Sequence, residues 1–326
     1  MAQRPARVGI GLAVRNGETT LEETVQSILK QTYEDFHLVL SDNASTDCTE
    51  EVCRGFAARD ERVLYLRQAR NLGPAANFNA AEQAAGGEFF KWAAADDLYE
   101  PTYLEACVQA LSEHPDAVLA YPRTRIIGPD SEWLHDHEYE ADVTHPRPSV
   151  RFRNYLLVDQ RRHLGAEIFG LIRHRALCIV GPQGAFARAD HVLCAGLTLM
   201  GTFHLIPETL FQNREHPGRS LRTTPSRGFR GRSLSVSKLG SGPIPADDWW
   251  DASKQGKVVW PEWRLFREYA AVVDRAPLSS AERRAARSTI AGIAAKHGHK
   301  LARDVLINAE FGLRKAMAGG GSALAD

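Results

Sequence analysis

The sequence predicts an α/β fold, a mainly parallel sheet flanked by helices and followed by a C-terminal helical extension. Two observations carry this. Short apolar runs alternate with helical periodicity four times between Val8 and Leu111, which implies successive βα units with helices on both faces. Asp42, Arg70 and the pair Asp96-Asp97 each follow the end of such a run. Ligands of parallel sheets bind outside the carboxyl ends of the strands, so these loops should converge on one crevice.

The elements follow in order. Val8 to Val14 (VGIGLAV) reads as a buried strand with two glycines where backbone or ligand comes close. Thr20 and Glu23 form a capping-box pattern, and Leu21, Val25, Ile28 and Leu29 share the next helical face. Phe36 to Leu40 is a second strand, ending at Ser41-Asp42-Asn43-Ala44-Ser45-Thr46-Asp47, and Asp47 with Glu50 opens a helix. Val63 to Leu66 is a third strand, followed by Arg70-Asn71-Leu72-Gly73-Pro74 and a helix ending at Gly86-Gly87. The run from Phe89 to Ala95 is a fourth strand, and Pro101 suits the first turn of the helix around Leu104, Cys107 and Leu111. Residues 129 to 150 read as a polar loop. A helix from Asp190 to Met200 and a strand pair at Phe203–Ile206 and Leu210–Gln212 come next. Residues 217 to 247, rich in Gly, Ser, Pro and Arg, read as a mobile segment. The tail is helical in propensity from Pro277 onward and ends in a Gly-rich stretch read as disordered. The expected organisation is a main domain over 1–220, a loop or lid over 221–255 and a helical extension over 256–326.

Composition narrows the function. At 326 residues, with 44% hydrophobic and 25% charged residues, the chain is ordinary for a globular protein. Lys+Arg and Asp+Glu are both 40, so no global field points to nucleic acid. The five scattered cysteines lack CxxC spacing, which argues against a zinc module or disulfide framework and favours a reducing cytoplasm. No signal peptide or spanning stretch of about 20 apolar residues is expected. A Rossmann dinucleotide site is disfavoured, because Val14 stands where the third glycine after Gly9 and Gly11 would be. His135-Asp136-His137 and His297-Gly298-His299 read as solvated surface, and Trp249, Trp250, Trp260 and Trp263 as helix packing.

Asp96-Asp97 carries the sharpest chemistry. Carboxylates at the inner end of an apolar strand are costly to desolvate, yet a hard divalent cation with a diphosphate would need oxygen ligands there. The residues alone leave open a second reading, a cap for the helix near Pro101.

Taken together, Asn16-Gly17-Glu18, Gln31-Thr32, the 41–47 segment, Arg70-Asn71-Leu72-Gly73, Asn77 and Asp96-Asp97 resemble glycosyltransferase family 2. The resemblance is dense over residues 7 to 125 and returns near Asp190 and His216. It implies a GT-A fold and an inverting transfer of a sugar from a nucleoside-diphosphate donor to a hydroxyl acceptor. By this resemblance Asp42 meets the imide N–H of uracil, which makes UDP the favoured nucleotide. Asn43, where the family often has a second Asp, leaves dTDP and GDP open. Ala13 replaces a favoured Pro at a place where contact comes from backbone, and Asn16 belongs to the same donor loop. Arg70 and Asn71 fall near the diphosphate or base, and Asn77 near the sugar or one layer behind the direct contacts. Asp97 is expected to contact Mn²⁺ (or Mg²⁺) directly, with Asp96 on the ribose or outer shell and Ala94 marking a missing leading Asp. His216, in Arg214-Glu215-His216, is the expected third ligand and tilts the choice toward Mn²⁺. Asp190 matches the general base, with Glu167 and Asp159 in reserve. The stretch Arg219 to Arg232 would form a lid.

Two rivals remain at this stage. One is a nucleotidyltransferase, against which the missing Gly-rich loop with Arg and Lys after the first strand counts. The other is a non-catalytic nucleotide-binding module of a biosynthetic complex. The acceptor stays unread among polysaccharide, lipid carrier, protein and natural product. The basic tail residues Arg283, Arg284, Arg287, Lys296, Lys300 and Arg303 keep open a peripheral contact with the inner membrane face.

Overall fold

A computed structural model describes residues 6–159, 162–216 and 260–320, together with 226–227, 244–245 and 250. The first half runs β1 (Val8–Val14), α1 (Leu21–Leu29), β2 (Phe36–Asp42), α2 (Thr49–Arg59), β3 (Val63–Arg67), α3 (Pro74–Ala85) and β4 (Phe89–Ala94). These are the four expected βα strands, and they lie parallel in the order β3-β2-β1-β4. β1 can sit centrally because its glycines let helix α3 close on it. A Cβ on Gly9 would stand 2.2 Å from the Gly86 carbonyl oxygen, and one on Gly11 3.1 Å from the Ala81 side chain.

The second half adds β5 (Leu98–Tyr99), α4 (Tyr103–Glu113), β6 (Ala117–Ile127), β7 (Trp133–Asp136), α5 (Pro148–Leu156), β8 (Leu171–Arg173), α6 (His174–Val180), α7 (Ala189–Met200) and β9 (Thr202–Arg214). They extend the sheet as β4-β8-β6-β9-β5, with β7 on β6. β8 is antiparallel to both β4 and β6, β6 and β9 are parallel, β5 is antiparallel to β9, and β7 is antiparallel to β6. The sheet is thus parallel through its first four strands and mixed beyond them.

Several local expectations change. The strand pair expected at 203–212 is one strand of 13 residues, which stays paired with β6 although its register shifts near Pro122 and Arg123. β7 lies inside the stretch read as loop, and all four of its residues are exposed. The Thr20 hydroxyl makes no capping bond; it donates to the Ala95 carbonyl at 2.8 Å. α4 starts at Tyr103, so Pro101 precedes it.

Helices α8 (Pro261–Arg275), α9 (Ser280–Lys296) and α10 (Gly298–Gly320) form the C-terminal part. Ser279 caps α9 by accepting from the Glu282 N–H at 3.2 Å. Leu265, Tyr269, Val272 and Val273 of α8 join the same buried cluster as Phe152 of α5 and Val192 and Leu193 of α7. Each such burial contributes roughly 1.5–3 kcal/mol relative to exposure, so α8 is part of the main core. Arg283 donates to the Val273, Asp274 and Ala276 carbonyls, and Arg287 pairs with Asp274 at 2.6 Å, which commits two of the basic tail residues to closing α8. Among the described residues no helix is long and apolar enough to cross a membrane. The lid expected from Arg219 to Arg232 lies outside the described residues apart from Ser226–Arg227, and so do Trp249 and the Gly-rich end past residue 320.

Candidate active site

The carboxyl ends of β1 and β2 and the first turn of α3 enclose a crevice of about 390 Å³, walled by Ala13, Arg15, Asn43, Asn71, Asn77 and Phe78 among others. Its size suits a small-molecule ligand. Ala13, Asn71 and Asn77, three of the expected donor contacts, thus line one crevice. Asn77 is buried and spent on the frame: its amide donates to the Ser41 carbonyl at 2.8 Å and accepts from the Ser41 hydroxyl at 2.7 Å. Asn43 holds the far wall, donating to Asn71 Oδ1 at 2.9 Å and accepting from the Leu72 N–H at 2.8 Å. Asn16, at φ 55, fastens the end of β1 to the next loop by donating to the Ser45 hydroxyl and accepting from the Thr46 N–H, both at 2.9 Å. Arg70 is exposed.

Asp42 departs from expectation. It is fully buried, and both oxygens are already engaged. Oδ1 accepts from the Ser45 N–H and hydroxyl, while Oδ2 accepts from the Tyr65 hydroxyl at 3.0 Å and Arg67 at 2.7 Å. Here the carboxylate holds the 43–46 turn and presents no open lone pair to a base. Burial beside this carboxylate pushes the Tyr65 hydroxyl up to about 12, so it stays a donor at neutral pH. Arg67, which the sequence reading passed over, also pairs with Glu50 at 2.7 Å.

The Asp pair lies one strand away. Ala13 pairs in register with Ala94, two residues before Asp96. The helix-cap reading fails, because β5 intervenes and Thr102 holds the N-cap position of α4. The two carboxylates diverge. Asp97, expected as the direct metal ligand, is 1% exposed, and its Oδ1 accepts from Asn213 Nδ2 at 3.0 Å and the Arg214 N–H at 2.9 Å. Asp96 keeps about a quarter of its side chain exposed and meets His216 Nε2 at 2.9 Å. A carboxylate oxygen and an imidazole nitrogen, both partly open, are together able to hold a divalent cation.

Arg214 organises this corner and is itself 1% exposed. Nε donates to the Asp96 carbonyl at 2.7 Å, Nη1 to the Pro129 carbonyl and Ser131 hydroxyl at 2.9 Å each, and Nη2 to Glu23 at 2.7 Å. Glu23 is thereby drawn away from the capping box with Thr20. Lys91, buried in β4 with Nζ 3.7 Å from the centre of the Tyr99 ring, is pushed down to about 7 by desolvation.

Asp190 lies in the first turn of α7, whose N-cap position belongs to Arg188, so it is not the capping residue. The loop before it is tied to α3 by two bonds between Asn79 and the Gln183 backbone, both 2.9 Å. Asp190 is an exposed residue, and desolvation by the surrounding protein pushes its pKa upward. Glu167 is buried and held 2.7 Å from His163; the pairing keeps the carboxyl below and the imidazole above their ordinary values. That leaves Glu167 poorly placed as a reserve base. Asp159 is exposed, with its N–H donating to the Tyr139 hydroxyl at 2.9 Å. The extension reaches this region directly. Arg188 pairs with Glu262 of α8 at 2.8 Å, and His191 bonds the Tyr269 hydroxyl at 2.7 Å. Burial lowers His191 to about 4, keeping it neutral.

Comparison with known proteins places the chain in a family and a fold. Glycosyltransferase GlyG of Streptococcus pneumoniae serotype 4 is 32% identical over 106 residues, covering 32% of this chain and 35% of the relative. Glycosyltransferase GlyA of the same organism is 30% identical over 108 residues, 33% of this chain and 15% of its own length. The matched part is therefore about a third or less of those relatives. Among solved structures, S. aureus TarS 1-349 in complex with UDP-GlcNAc superposes with a TM-score of 0.57 at 15% identity, covering 87% of this chain and 71% of that one. The same TarS fragment with UDP gives 0.56 at 14% identity, with 87% and 70% covered. These likenesses establish the GT-A fold. Residues 10–179, more than half of the 326, match the model of Glycosyl transferase family 2, and the chain belongs to that family.

Proposed function

We propose that the protein transfers a sugar from a nucleoside-diphosphate donor, UDP-linked by preference, to a hydroxyl acceptor with inversion and with the help of a divalent cation. The observation that carries this reading is the partly exposed Asp96–His216 pair, 2.9 Å apart, at the end of the strand beside the crevice. We assign direct cation contact to Asp96 with His216 and move Asp97 to the frame, because Asp97 is buried and bound to β9. When bound, the cation offsets the charge that grows on the leaving diphosphate as a Lewis acid. Base contacts fall to the main chain of Ala13 and Arg15 and to Asn71, with Asp42 holding the turn behind them. UDP is favoured because the fold is shared with TarS structures holding UDP and UDP-GlcNAc.

Asp190 is the base in this reading. Its raised pKa brings its proton affinity closer to what a general base needs, and its exposure keeps it reachable. The five cysteines are all free, which suits a reducing compartment such as the cytoplasm. The test is hydrolysis of UDP-sugars with and without Mn²⁺. Metal-dependent turnover that disappears in Asp96→Asn supports the assignment. Turnover that survives Asp96→Asn and disappears in Asp97→Asn would return the ligand role to Asp97. Saturable UDP binding without turnover over a panel of donors and acceptors would make the protein a binder.

A further inference from the structure

We infer that Glu82, His174 and Cys178 form a second metal site, for zinc or another thiophilic divalent cation, at the opposite end of the sheet from the crevice. One ligand atom from each lies within 4.8 Å of the others. Among the described residues this is the one group of three such side chains so placed. His174 and Cys178 are four residues apart on α6 and so share a helical face, while Glu82 projects from the second half of α3.

The imidazole is already set for ligation. His174 Nδ1 lies 3.1 Å from the Gly87 carbonyl oxygen, which can only accept, so Nδ1 carries the proton. That leaves Nε2 facing Glu82 Oε1 at 2.6 Å. A backbone carbonyl that fixes the ring through its other nitrogen is the usual support of a histidine metal ligand. Without metal the same geometry is an ion pair between an imidazolium and Glu82. Cys178 is exposed, so its thiol can turn toward the pair without disturbing the core.

Binding would release one proton from Nε2 and one from Sγ. A dication, one carboxylate, one thiolate and one neutral imidazole sum to zero charge, leaving a fourth position for water. The thiolate separates this site from the Asp96–His216 corner, which offers only oxygen and nitrogen. The two stand at opposite ends of β4, roughly 20 Å apart for a six-residue strand. A bound ion would cross-link α3, which walls the donor crevice, to α6. The inference does not depend on the reaction catalysed.

Cobalt provides the readout, because only a sulfur ligand gives a thiolate-to-cobalt charge-transfer band. Metal-free full-length protein titrated with Co²⁺ should develop that band at one equivalent. It should be lost in Cys178→Ser, retained in Cys48→Ser and Asp96→Asn, and need at least tenfold more Co²⁺ in His174→Gln. Zn²⁺ should displace the cobalt and raise the Tm of the wild type but not of Cys178→Ser. Absence of the band in the wild type, its survival in Cys178→Ser, or unchanged affinity in His174→Gln would each overturn the site.

Discussion

Replacing Arg214 with lysine tests whether the Asp96–His216 corner is held by a planar fork or merely by positive charge. The guanidinium serves the Asp96, Gly128 and Pro129 carbonyls, the Ser131 hydroxyl and Glu23. A lysine ammonium has three donors from a single point and leaves at least two of these five acceptors without a partner. An orphaned buried acceptor costs about 1–3 kcal/mol, so the loss of two should destabilise the fold by about 2–6 kcal/mol. The Glu23 contact contributes little of this, because Glu23 is 50% exposed and such pairs are worth about 0–1 kcal/mol. Glu23→Gln should therefore cost less than about 1 kcal/mol in the same urea titration. The functional loss should be larger than the loss of stability suggests. Nε pulls directly on the Asp96 backbone, and a misplacement of about 1 Å in a reacting group can cost about 100-fold in rate. Metal-dependent donor turnover at a urea-free, fully folded temperature measures that term. Wild-type stability and turnover in Arg214→Lys, or an equal loss in Glu23→Gln, would refute the reasoning.

Three further outcomes follow from the same geometry. His216→Ala should raise the Mn²⁺ concentration needed for half-maximal turnover at least tenfold while leaving UDP affinity measured without metal unchanged; equal metal response would remove His216 from the corner. Asp190→Asn should lower kcat by about 10²–10⁴-fold with donor binding intact. In the wild type, turnover should climb as pH rises through the elevated Asp190 pKa, since the base must be ionised, and the variant should lose that limb. Glu140 is pushed up to about 7, chiefly by desolvation, from an ordinary 4.5. Its folded form thus keeps a proton that the unfolded chain releases, so the wild type should lose stability as pH rises from about 4.5 to about 7. Glu140→Gln should flatten that part of a Tm-against-pH curve, and an unchanged slope would show that other groups cause it.

Local signals made the first half of the fold legible. β1 to β4 are apolar runs closed by polar loops, and their order of pairing follows from repeated βα connections. β9 was harder, because Pro207-Glu208-Thr209 reads as a turn, while in the fold Pro207 and Glu208 bulge out and pairing with β6 resumes at Thr209. β7 has no buried face and hence no apolar pattern to read. The identity of Asp42, Asp96 and Asp97 was visible in sequence, but their burial was not. Whether a carboxylate faces a ligand or the frame depends on partners such as Arg67, Asn213 and Arg214, which periodicity does not reveal. The one available hint was the position of Arg214, two residues before His216 in the same segment.

The length of chain enclosed by the Arg214–Glu23 contact has a consequence for biosynthesis. It joins residues 191 positions apart, and the same arginine gathers the 128–131 turn and the Asp96 backbone. A nascent chain emerges from its N-terminus and its early elements can pair first. The strands that wall the crevice are all complete by residue 94, yet the Asp96–His216 corner must wait for residue 216. During synthesis the segments that wall the crevice are therefore complete long before the corner proposed to hold the cation can be assembled.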